Sequence, residues 1–133
     1  MDASEPELFQ RGFAGLLGMR ALSLSDGEIS ARVDVRDELK QPAGLVDGGV
    51  YAAMAEDMAS AATYLAVHEQ GRVAMGLSNQ TSFLRPVTGG HITGVARAKH
   101  RGSTTWVWEV EFFDAEERLC ALTRMTIAVR EAR

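Results

Sequence analysis

The 133-residue sequence predicts an α+β fold in which a curved antiparallel sheet wraps one long central helix. Three observations lead there. An almost unbroken apolar run from Val50 to about Glu69 is rich in Ala, Met, Val, Leu and Tyr, the composition of a helix packed on most of its faces. Ahead of it, two runs of alternating apolar and polar residues meet at Asp26-Gly27, a dipeptide suited to tight hairpin turns. Behind it, consecutive strand-like runs are separated by short glycine-rich or acidic turns. The length is that of one domain, taken as residues 1–133.

In chain order, residues 7–17 space Leu8, Phe9, Phe13 and Leu16 at helical intervals, so a short helix is expected there despite Gly12 and Gly15. Met19 to Ser25 and Glu28 to Arg36 are the two arms of the hairpin. Residues 37–42 are polar and end in Pro42, forming a loop that delivers Gln41 and Gly44 to the central helix. After that helix, Gly71 to Pro86 reads as a strand whose polar middle, Ser78-Asn79-Gln80-Thr81-Ser82, is a candidate cleft lining. Turns at Gly89-Gly90, Arg101-Gly102-Ser103 and Asp114-Ala115-Glu116-Glu117 then mark off His91 to His100, Thr104 to Phe113 and Arg118 to Val129. These three strands make a meander.

Composition narrows the function classes. A net charge of −4 argues against broad nucleic-acid binding, which needs a basic face. The lone Cys120 excludes an intrachain disulfide or a multi-thiolate zinc site and reads as a buried small residue. His68, His91 and His100 are scattered without metal-ligand spacing, so no metal is expected. Met1 to Pro6 has no basic flank or apolar core of a leader, and no run is long enough to span a bilayer, so a cytoplasmic location is expected. Trp106 and Trp108 share one strand face and are expected in the core or an interface, and Met54 and Met58 in the core.

Two acids, Glu56 and Asp57, interrupt the apolar helix, where a carboxylate must be paired, exposed or neutralised. They lie about 100° apart around the axis and cannot share a narrow stripe, whereas Ser60 can share the face of Glu56. Glu56, with apolar neighbours, is the candidate to point into a cleft; Asp57 is expected to face solvent or pair with a base.

The order of several segments adds a resemblance. Gly44-Leu45-Val46-Asp47-Gly48-Gly49-Val50-Tyr51 precedes Ala55-Glu56. Then come Ser78-Asn79-x-Thr81-Ser82-Phe83-x-Arg85-Pro86-Val87, Gly102-Ser103-Thr104-Thr105-Trp106, Arg118-Leu119-Cys120-Ala121 and Ile127-Ala128-Val129-Arg130. Together, over residues 37–130, they resemble the hotdog-fold acyl-CoA thioesterases of the phenylacetate-pathway type, most of all the Arthrobacter-type 4-hydroxybenzoyl-CoA thioesterases. The resemblance implies hydrolysis of a thioester, with an aromatic acyl group favoured, and no cofactor beyond the CoA of the substrate. It makes Glu56 the catalytic carboxylate, acting as nucleophile or as general base. It gives the Gly48 backbone N–H the task of polarising the thioester carbonyl at the helix N-terminus, with Gln41 in contact with the same region and Ser60 orienting the attacking group. Arg85, Ser103 and Thr104 match CoA contacts, with Arg130 or Arg133 as a weaker transfer. It also implies a homodimer doubled to a homotetramer, with sites between subunits in which Glu56 meets Arg85 or Ser103 of another chain. Independently of the resemblance, one small sheet leaves an exposed edge to be covered.

The sequence departs from the family at Asp47, where the pattern has histidine. An aspartate there can cap the free amides of the first turn. Were it instead ionised about 4 Å from a developing oxyanion, repulsion of roughly 4 kcal/mol would slow the reaction about a thousandfold. A noncatalytic acyl-CoA-binding protein that lost this histidine is therefore the alternative reading.

Overall fold

The computed structural model describes residues 8–133. The chain runs α1 (Gly12–Leu17), β1 (Arg20–Ser25), β2 (Glu28–Asp34), α2 (Gly48–Val67), β3 (Arg72–Phe83), β4 (His91–Arg101), β5 (Thr105–Phe113) and β6 (Leu119–Glu131). Short 3₁₀ turns at Asp37–Leu39 and His68–Gln70 flank α2. The strands form one antiparallel sheet in the order β1-β2-β4-β5-β6-β3, so the expected hairpin and the meander β4-β5-β6 are both present. β3 pairs along its whole length with β6, not with the strand that follows it, and stands at the sheet edge.

Strands β2 to β6 all pack on α2, which places the core between sheet and helix. Ile29, Ala31 and Val33 of β2, Ile92 and Ala96 of β4, Val110 and Phe112 of β5 and Ile127 and Val129 of β6 are fully buried there. Met54, Ala55, Met58 and Ala59 of α2 meet them, equally buried. Truncating Met54 or Met58 to Ala would cost about 2–5 kcal/mol through lost contact and the cavity left behind. Trp106 and Trp108 are buried and stacked at 6.1 Å, and the Trp108 indole N–H donates to the Thr63 hydroxyl at 2.8 Å. Cys120 is buried as well.

The first helix is shorter than expected. Glu7 of the 7–17 expectation lies outside the described residues, and the helix proper begins at Gly12, whose φ of +66° breaks it from the preceding turn. Nor does the apolar stripe point one way: Phe9 is buried, while Phe13 and Leu16 are 60% and 68% exposed. The second hairpin arm ends at Asp34, two residues before the expected Arg36. Among the described residues no helix is long and apolar enough to cross a membrane.

Candidate active site

The start of α2 is pinned by main-chain hydrogen bonds. The N–H of Val46 donates to Val87 O, that of Asp47 to Leu39 O and that of Gln41 to Leu45 O, each at 2.8 Å. Asp47 is the N-cap: its exposed side chain accepts from the N–H of Gly49 at 2.8 Å. That is the capping role expected from sequence, and it commits the carboxylate to Gly49. The Gly48 N–H is one of the first-turn donors that a helix cannot satisfy internally.

Beside it lies a cavity of about 500 Å³ lined by Gln41, Leu45, Val46, Gly48, Tyr51, Phe83, Leu84, Arg85, Pro86 and Val87. Three sequence-predicted residues, Gln41, Gly48 and Arg85, thus meet at one hollow. Arg85 is exposed at its rim and makes no ion pair among the described residues. Phe83, which the sequence does not single out for a role, has its ring against Gly48: a Cβ built there would stand 2.6 Å from Cζ. Only glycine admits that approach. The signal in the sequence was a large apolar residue closing a polar strand.

Glu56 is not in this cavity. At a rise of 1.5 Å per residue it lies about 12 Å along the axis from Gly48, too far for both to act on one carbonyl within one chain. The expectation that its apolar neighbours would carry it into a cleft does not hold in the single chain, where the side chain is exposed. Those neighbours, Met54, Ala55, Met58 and Ala59, are fully buried, while Glu56 stands beside the edge strand β3. Its carboxylate rests beside Gly76 of β3, where a Cβ would come within 3.0 Å of Oε2, at a bulge between Gly76 and Ser78. Ser60, half-buried, follows one turn on along the same face of α2 as Glu56. Asn79, another residue without an assigned role, donates from Nδ2 to the Ala52 carbonyl at 2.9 Å and ties the polar middle of β3 to the helix.

Asp57 departs from expectation. It is half-buried and forms no ion pair with a base among the described residues, because a 100° turn from Glu56 rotates it toward the packed side. Its Oδ2 is enclosed and lacks a hydrogen-bond partner. Burial, with the Glu56 carboxylate beside it, pushes its pKa up to about 6.

The remaining predicted contacts gather at the other end of α2. Arg130 Nη1 donates to the carbonyl oxygens of Thr104 at 2.7 Å and Val129 at 2.8 Å, which brings Arg130, Thr104 and neighbouring Ser103 together. Ser103 also lines a smaller hollow of about 360 Å³ with Arg72, Arg101, Trp106 and Val67. Arg101 is committed there to Asp26 at 2.8 Å and stands 5.5 Å over the Trp106 ring. The two groups of residues are separated by the length of α2, whose 20 residues span about 30 Å.

Comparison with known proteins identifies the family. Residues 43–121 match the family model described as the thioesterase superfamily. A 1,4-dihydroxy-2-naphthoyl-CoA hydrolase from Escherichia coli is 35% identical over 115 residues, 86% of this chain and 84% of that one. The proofreading thioesterase EntH of Cronobacter turicensis is 34% identical over 113 residues, 85% and 82% of the two chains. The crystal structure of a thioesterase from Haemophilus influenzae superposes with a TM-score of 0.88 at 30% identity, covering 95% of this chain and 87% of that one. The chain therefore belongs to the thioesterase superfamily, as a hotdog-fold thioester hydrolase.

Proposed function

We propose that this enzyme cleaves aromatic acyl-CoA thioesters to the free acid and CoA, at sites assembled from two copies of the chain. The observation that carries the reading is the meeting of Gln41, the Gly48 backbone and Arg85 on one largely apolar hollow at a helix N-terminus. Such a hollow suits an uncharged ring, and the N–H of Gly48 with the positive end of the helix dipole suits the negative oxygen that develops on a thioester carbonyl. The naphthoyl group in the name of the Escherichia coli relative supports a planar acyl group. No cofactor enters the reaction.

In this reading Gln41 and Gly48 of one chain hold the carbonyl, and the partner's Glu56 supplies the carboxylate. It either attacks the carbonyl carbon, expelling CoA thiolate and leaving an anhydride for water to open, or takes a proton from the attacking water. Ser60 orients that carboxylate or its water. Arg85, Ser103, Thr104 and Arg130 receive the CoA phosphates. Two observations support the shared site. Glu56 and Gly48 lie too far apart within one chain. The β3 edge also leaves its outer backbone groups unpaired and carries Met75 and Leu77, each more than half exposed, as a surface to be covered. A pair formed there, doubled into a tetramer, is the assembly we favour.

The test is release of free thiol from a panel of acyl-CoAs. Wild type is expected to favour aromatic esters, and Glu56→Gln to lower kcat about a thousandfold. Equal turnover in the two proteins would remove Glu56 from the mechanism, and no turnover in either would leave a noncatalytic binder. Mixing inactive Glu56→Gln with inactive Gly48→Ala should restore about a quarter of wild-type activity, because half of the random dimers carry one intact site in two.

A further inference from the structure

Phe83 is the large apolar side chain at the helix-start cavity to which the proposed mechanism gives no task. It ends β3, is 60% exposed, and presses the tip of its ring on Gly48. Tyr51, one turn along α2, is only 3% exposed, and its ring centre lies 6.1 Å from that of Phe83 at a tilt of 50°. Tyr51 in turn meets the buried Phe112 edge-on, at 5.3 Å and 71°. The series Phe112, Tyr51, Phe83 is therefore fixed from within the core and ends on an open aromatic ring at the cavity wall. Rings attract one another in tilted or offset geometry at centre separations of about 4.5–7 Å, beyond what their buried area supplies. An aliphatic chain in the same hollow gains the area alone.

We propose that Phe83 determines acyl specificity: its open ring is the stacking wall for a planar aromatic acyl group whose carbonyl is held at the Gly48 backbone. The proposal rests on the thioesterase reading above and adds to it the residue that tells a ring from a chain. Leu45, Val46 and Pro86 supply apolar bulk to any acyl group without that discrimination.

The measurement is kcat/KM for benzoyl-CoA and hexanoyl-CoA in wild type, Phe83→Leu and Phe83→Tyr. Leucine keeps most of the apolar volume and removes the ring, so the benzoyl-to-hexanoyl ratio should fall about fivefold, while Phe83→Tyr should keep the wild-type ratio. A ratio within about twofold of wild type in Phe83→Leu, or equal losses on both substrates, would overturn the assignment. A wild-type readout runs beside it: the ring protons of added benzoate should show nuclear Overhauser contacts to the Phe83 ring. Bound benzoate without those contacts, or no bound benzoate, would overturn the proposal even if Phe83→Leu did not fold. Wild type that cleaves neither ester yet shows the contacts would fail the thioesterase reading and keep the aromatic wall.

Discussion

The two ends of α2 differ in kind. At its start, a backbone donor stands among Leu45, Val46, Phe83 and Val87, with polar side-chain groups at Gln41, Tyr51 and Arg85. At its end, the hollow is walled by Arg72, Ser103 and Arg101, the last paired with Asp26, with Arg130 and Thr104 alongside. The first environment favours an uncharged acyl group, because burying a charge among apolar walls is costly. The second favours phosphate, which arginine holds with paired donors. An acyl-CoA has both characters, joined by a long flexible arm. The division of the helix into an apolar and a cationic end mirrors that of the proposed substrate, and Glu56 lies between them beside β3.

The contrast can be broken most severely at the acyl end. Gly48→Ala drives a methyl group into the Phe83 ring and displaces the backbone donor, so kcat should fall about a hundredfold while the melting temperature shows whether the fold survives. Retained kcat would mean that the donor lies elsewhere. At the cationic end a smaller change should appear in a different constant. Arg130→Ala is expected to raise KM about tenfold with kcat held, since its contact would be equal in ground and transition states. The KM effect should vanish for a short thioester such as N-acetylcysteamine, which has no phosphates; a loss that persists on that substrate would mark Arg130 as a strut for Thr104.

The smallest effect concerns Asp57, at neither end. Its pKa is raised to about 6, above the ordinary aspartate value, so the folded chain holds its proton where the unfolded chain has lost it. Stability from this group is therefore complete below about pH 4 and declines as pH rises to about 6. Asp57→Asn removes the penalty and should stabilise the protein by about 1 kcal/mol at pH 8, after discounting for partial exposure, with no gain at pH 4. Urea midpoints at the two pH values measure it; equal gains at both would assign the effect to packing.

Much of this was legible in local patterns. Asp26-Gly27 between alternating runs can hardly do other than turn a hairpin, and the Ala- and Met-rich run after Gly49 can hardly leave the core. Asp47 was readable as a cap from its place before two glycines. Other features depend on partners distant in sequence. Nothing near Glu56 tells that Gly76 will face it, or that its own apolar neighbours turn to the sheet and leave it outside. Phe83 reads as the end of a strand until β3 is laid beside β6 and its ring meets a glycine 35 positions earlier.

The sequence by itself determined the elements, the buried helix, the cap and the residue types available for thioester chemistry, because these follow from periodicity, turn chemistry and propensity over a few residues. The tertiary structure decided which of those residues meet. It brought Gln41, Gly48, Phe83 and Arg85 to one hollow and set Ser103, Thr104 and Arg130 at the opposite end of α2. It also held Glu56 about 12 Å from Gly48, since a rigid helix fixes the separation of residues along its axis and strand pairing alone chooses their neighbours.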